Sequence, residues 1–127
     1  KTQKYLEEVS PSLAERLELY KLKLPLFESF GIDSEIEKLM RPKAWLKSGA
    51  YLIIEKTEAM VVVDVNSGKF VGKKLHEENS LKINLEAARE VARQLRLRDL
   101  SGLVVIDFID MRLEENRKKI YHELRKS

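Results

Sequence analysis

Two apolar runs in this chain end in an aspartate: Met60-Val61-Val62-Val63-Asp64 and Leu103-Val104-Val105-Ile106-Asp107. Two carboxylates brought side by side hold a hard divalent cation, and a cation so held acidifies water and offsets the charge of a phosphate. Oxygen-only ligation suits Mg²⁺, with Mn²⁺ as the other cation such a site accepts. Asn66 follows Asp64 by two positions and shares its face in an extended chain, where it can orient the Asp64 carboxylate or donate to a bound phosphate. Acids at strand ends also cap the turn or helix that follows, so from spacing alone metal binding and capping stand level. Asp110 leaves the shared face and immediately precedes the last helical segment, which favours an N-cap over a metal ligand.

For the two aspartates to meet, the runs must be neighbouring parallel strands. Both are apolar at alternate and intervening positions alike, the pattern of strands buried on both faces of a parallel sheet. Between them lies a helix expected from about Ser80 to Leu97, with Leu81, Leu85, Ala88, Ala92 and Leu95 as its buried face. A strand–helix–strand unit of this kind is right-handed in nearly all cases. It places both aspartates at the carboxyl ends of their strands, the edge where open α/β sheets bind ligands. Ala44-Trp45-Leu46 reads as a short strand, Ser48-Gly49 as a turn, and Tyr51 to Glu55 as a strand joined to Met60–Val65 by a short hairpin connection. Gly68 to Asn79 reads as a loop, Ser101-Gly102 as the close of the crossover, and Leu113 to Lys126 as the last helix. In the first quarter, Ser12-x-x-Glu15 has the form of a capping box. Pro25 and Gly31 bracket a short helix, and Asp33 can cap another that stops before Pro42.

Basic residues complete the pattern. Lys69, Lys73 and Lys74 follow the first aspartate, and Arg93, Arg96 and Arg98 lie toward the end of the crossover helix. Solvation and the helix dipole account for such a cluster taken alone; next to two carboxylates it fits phosphate contact beside a metal and a phosphodiester substrate. The segment from Gly68 to Lys74 is one residue short of a phosphate loop and lacks its Ser or Thr, so it is rejected as one. His76 and His122 lack partners at ligand spacing. Trp45, Phe70 and Phe108 read as packing residues, with Phe70 the best of them for base stacking.

Composition agrees with one ordinary domain and core: 127 residues, 43% hydrophobic, 35% charged and a net charge of +3. The absence of cysteine removes thiolate metal sites and cysteine nucleophiles. No apolar stretch approaches the ~20 residues of a membrane span, and the first residues do not form a signal peptide, which points to the cytoplasm.

The segments VVVDVNSGKF and NLEAAREVARQLRLRDLSGLVVIDFIDM closely resemble the catalytic core of the bacterial ribonuclease E/G family, and LKLPLFESFGIDSEIEKLM resembles the stretch before that core. The resemblance implies an endoribonuclease of RNA processing and decay. It would cut single-stranded RNA with Mg²⁺ and leave 5′-phosphate products. It places the family's metal-binding aspartates on Asp64 and Asp107 and its asparagine on Asn66. It implies a mixed α/β sheet in a partial deoxyribonuclease-I-like subdomain over 48–127, preceded over 1–47 by the end of a ribonuclease-H-like subdomain. The family's S1 domain, its pocket for the RNA 5′ end and its later CPxC-type motif, through which subunits share zinc, do not occur in these residues. No zinc site is therefore expected in them, and the chain reads as a piece of a larger protein for which the family suggests a homo-oligomer. The alternative is a catalytically incomplete RNA-binding or assembly module of the same fold; a Mg²⁺-dependent phosphatase of small esters would use the same constellation.

Overall fold

The computed structural model describes residues 1–68 and 77–127. Its contacts divide the chain into two compact units, Lys1–Ser34 and Glu35–Ser127.

The first unit holds three short helices, α1 (Thr2–Val9), α2 (Pro11–Ala14) and α3 (Leu26–Ser29), none of which buries a residue. Ser10, not Ser12, is the N-cap of α2, and no side chain bonds in the cap. Pro11 fixes the helical φ at the first position, so the helix begins one residue earlier than the capping box requires and Ser12 lies inside it. Pro25 precedes α3, as its fixed φ favours. Gly31, at φ +67, takes the left-handed turn between α3 and the helix that follows, α4 (Ile32–Leu39). Because α4 restarts directly after that glycine, Asp33 stands within its first turn and is not its cap.

The second unit is built on a four-stranded mixed sheet: β1 (Lys43–Trp45), β2 (Tyr51–Lys56), β3 (Val61–Asn66) and β4 (Val104–Asp107), in that spatial order. The first two pairings are antiparallel and β3–β4 is parallel. Hairpin chemistry sets the first three strands. Gly49 turns at φ +89 between β1 and β2, while the Thr57 amide donates to the Met60 carbonyl at 2.8 Å to close the β2–β3 turn. The parallel pair needs a crossover, which α5 (Glu77–Leu97) supplies; α6 (Glu114–Lys126) then packs beside α5.

The sheet has one covered face. Ala44, Leu52, Ile54, Val61, Val63 and Val65 are buried and pack with Ile83, Ala87 and Val91 of α5. The intervening residues are not: β3 alternates buried with half-buried or exposed positions, and Val105 of β4 is 44% exposed. The expectation of strands buried on both faces is thus corrected. Continuous valine and isoleucine reflect β-propensity as well as burial, and periodicity alone does not separate the two.

The α5 stripe is also rotated from its expected place. Ser80, Ile83, Asn84, Ala87, Ala88, Val91 and Gln94 are buried, whereas Leu81, Leu85, Ala92 and Leu95 flank them. Polar residues enter the core because they have partners there. Asn84 donates to the Ile109 carbonyl at 2.8 Å and accepts from the Ile109 amide at 3.0 Å, fixing the chain just beyond β4. The helix starts at Glu77, within the expected loop. Its carboxylate accepts from the Arg112 and Leu113 amides at 3.0 and 3.1 Å and from the Asn116 side chain at 3.0 Å. Glu77 therefore satisfies the start of α6 from a distant segment. These bonds, the Arg112 amide first, hold its carboxyl below the ordinary glutamate value. The N-cap of α6 is Leu113, so Asp110 is not at the cap position, which corrects that expectation.

Candidate active site

Strand register decides where the aspartates stand. Asp64 and Asp107 are direct partners in the parallel β3–β4 pair. Neighbouring strands lie about 4.8 Å apart and laterally paired residues share a face, so the two carboxylates leave the sheet side by side. Val63 and Val65 face the core; Asp64, between them, faces the open side and is exposed, as is Asp107. Asn66 donates its side-chain amide to Asp64 Oδ2 at 2.6 Å. That bond orients the carboxylate through one of its two oxygens. Two neighbouring carboxylates would offer oxygen donors of the kind Mg²⁺ and Mn²⁺ accept, with water completing an octahedron. Among the described residues, no group of three or more His, Asp or Glu side chains is placed to hold a metal, so the pair is a two-carboxylate arrangement.

The loop leaving β3 is tied to the β1–β2 turn. Gly68 lies at φ +62, and a Cβ there would come within 2.2 Å of the Gly49 carbonyl oxygen. Only glycine allows that approach. The same turn is braced from the helix side, where Glu86 accepts from the Lys47 amide at 2.6 Å. The backbone beyond Asn66 is thereby positioned by two separate elements.

The basic residues named with the aspartates do not all join them. Lys69, Lys73 and Lys74, with Phe70 and His76, lie outside the described residues. Arg93 and Arg96 are on α5, which covers the face opposite to the carboxylates, and Arg98 directly follows its last residue, so all three stand at the end of the crossover that leads back to the start of β4. Their expected place at the aspartate edge is corrected: a crossover helix runs against its strands, so its last turns finish at the strands' amino ends. Each arginine also has a partner within the fold. Arg93 pairs with Glu90 at 2.9 Å, Arg96 donates to the Ser127 carbonyl at 2.7 Å, and Arg98 donates to Gln94 at 2.7 Å. Burial pushes the Arg98 guanidinium below its ordinary value. Arg93 and Arg98 line a cleft of about 630 Å³ with Lys38, Arg41 and Lys43, against which stand Glu35 and Glu90.

Trp45 differs from its reading as a packing residue. It is 64% exposed on edge strand β1 and meets Tyr51 edge-on, ring centres 5.3 Å apart. Lys43 Nζ stands 4.0 Å from the Trp45 ring centre and 3.7 Å from that of Tyr51. A sequence signal existed: Lys43, Trp45 and Tyr51 alternate with Ala44 and Leu52, which are buried.

The family model described as the ribonuclease E/G family matches residues 1–127. The chain belongs to the ribonuclease E/G family. It is 43% identical over 120 residues to ribonuclease G of Escherichia coli K12, covering 94% of this chain and 24% of that protein. It is 42% identical over 125 residues to the chloroplastic ribonuclease E/G-like protein of Arabidopsis thaliana, covering 97% of this chain and 12% of that one. Ribonuclease E of Haemophilus influenzae is also 42% identical over 125 residues, which cover 98% of this chain and 13% of the relative. The chain spans about a quarter of the length of the ribonuclease G relatives it matches. Among the described residues of this ribonuclease E/G family member, no helix is long and apolar enough to cross a membrane.

Proposed function

We propose that this chain carries the metal-binding core of an endoribonuclease that cuts single-stranded RNA in RNA processing and leaves 5′-phosphate products. The observation that carries the reading is the register pairing of Asp64 with Asp107, with Asn66 holding one Asp64 oxygen. Membership of a family whose matched relatives are named ribonucleases supports it. Asp64 and Asp107 would hold Mg²⁺ or Mn²⁺. When bound, the cation supplies an acidified water and charge stabilisation at phosphorus. Asn66 keeps the Asp64 carboxylate from rotating and so fixes the direction of its free oxygen. Lys69, Lys73 and Lys74 would contact the RNA backbone from the segment after Gly68. In this reading, residues 48–127 form part of a deoxyribonuclease-I-like subdomain with a right-handed crossover, and residues 1–47 the end of a ribonuclease-H-like one. The complete protein works on RNA in the cytoplasm, as a homo-oligomer.

The test is cleavage of a 5′-labelled single-stranded RNA with and without Mg²⁺. Asp107→Asn is expected to lower the rate at least a hundredfold, since it removes half of the anionic ligation. Equal Mg²⁺-dependent cleavage by wild type and Asp107→Asn would exclude the reading.

A further inference from the structure

The open face of the sheet carries a second constellation two strands from the aspartates. Register gives two parallel rows across it. One runs Lys43, Ile53, Asp64, Asp107; the other runs Trp45, Tyr51, Asn66. With strands about 4.8 Å apart, Trp45 lies about 10 Å from Asn66 across the sheet. Trp45 is 64% exposed although β1 pairs with β2 and its neighbour Ala44 is buried. The indole meets Tyr51 edge-on, and Lys43 brings a positive charge against one face of each ring, so a base would take the face of Trp45 that Lys43 does not cover. Lys43 and Trp45 also line the cleft with Lys38, Arg41, Arg93 and Arg98, where five cations face two acids.

We infer that Trp45 and Tyr51 form a stacking platform for a base of single-stranded RNA adjoining the phosphate held at Asp64 and Asp107, with Lys43 matching the charge of the intervening backbone. The inference rests on the reading of the aspartate pair as a phosphodiester site. The chemistry favours a single strand. An aromatic face takes any unpaired base, a held ammonium takes phosphate, and bases within a duplex offer no free face. The strand would cross from the carboxylates over Tyr51 and Trp45 toward the cationic cleft, which gives Arg93 and Arg98 a place on the RNA path without placing them beside the metal. A docked protein would be expected to use a larger continuous apolar surface than one indole beside an ammonium.

Trp45 is the sole tryptophan of the chain, so its emission reports directly on the platform. A short labelled single-stranded RNA is titrated into the full chain carrying Asp107→Asn, with binding followed by anisotropy. Trp45 emission is expected to fall in step with binding. An abasic sugar-phosphate oligomer is expected to bind without that quenching. Trp45→Ala weakens RNA binding roughly tenfold and Trp45→Phe retains most of it. Unchanged emission at saturating RNA overturns the inference. So does equal affinity of Trp45→Ala and wild type, absence of RNA binding, or an emission change that follows protein self-association alone. Failures of the two readings separate cleanly. Quenching by RNA with undiminished cleavage by Asp107→Asn keeps Trp45 as a base-stacking residue but removes the metal reading and with it the placement beside the carboxylates; unchanged emission with inactive Asp107→Asn removes the platform and keeps the metal reading.

Discussion

Strand β3 puts two different jobs on residues one position apart. Val61, Val63 and Val65 are buried against α5, while Val62, Asp64 and Asn66 occupy the open face of the same strand. The covered face is apolar except at Lys56, at the end of β2, and is continuous with the helix. The open face carries two neighbouring carboxylates, an ammonium over two aromatic rings, and valines that are half-buried or exposed. A two-residue period lets one backbone support both, because stability drawn from one face does not constrain the chemistry of the other. The carboxylate pair can therefore exist at a cost the hydrophobic face offsets, as like charges directly opposite one another destabilise a sheet.

That contrast can be broken most strongly from the covered side. Leu52 is fully buried at the centre of the core. Leu52→Ala is expected to lower unfolding free energy by about 3 kcal/mol, whereas Val105→Ala on the open face should cost well under about 1 kcal/mol. Chemical denaturation of both variants checks the difference, and equal losses would mean the open face is packed after all. A smaller effect follows at the helix side, where Glu77 secures α6. Its carboxyl is held below the ordinary glutamate value, so its contribution is fully present above that value and is lost as pH falls through the lowered one. Protection of the Arg112 and Leu113 amides, taken relative to their intrinsic exchange rates, should fall as pH drops below the ordinary glutamate range, and Glu77→Gln should flatten this dependence. The smallest effect sharpens the open face itself. Without divalent cations, Asp107→Asn is expected to raise stability by about 0.5 kcal/mol by removing the like-charge neighbour of Asp64. With Mg²⁺ the order should reverse, since only the wild type gains stability by binding it. Thermal melts with and without Mg²⁺ read both signs.

Much of the fold was legible locally. The strands around Ala44, Tyr51 and Val61, the hairpin over Lys56–Ala59 and the helical crossover follow from β-branched runs, turn residues and helical periodicity. The errors share a cause. Ser12, Asp33 and Asp110 had the residue types of caps, yet α2, α4 and α6 begin elsewhere, because Pro11, Gly31 and the distant carboxylate of Glu77 set those starts. Asn84 and Gln94 fall outside the apolar face expected for α5 and are buried, since Asn84 finds the Ile109 backbone and Gln94 finds Glu90 and Arg98. Arg93, Arg96 and Arg98 were grouped with the aspartates by charge; the direction of the crossover helix separates them.

By itself the sequence determined which segments become strands and helices, and that two aspartates end parallel-capable runs, because propensity and period are properties of neighbouring residues. Only the tertiary structure decided that the aspartates are direct partners on the face opposite to α5, that Trp45 stands exposed beside Lys43 and Tyr51, and that the arginines of α5 lie on the other side of the sheet. Those outcomes depend on register and on which face the helix covers, and both are fixed by packing between segments far apart in the chain.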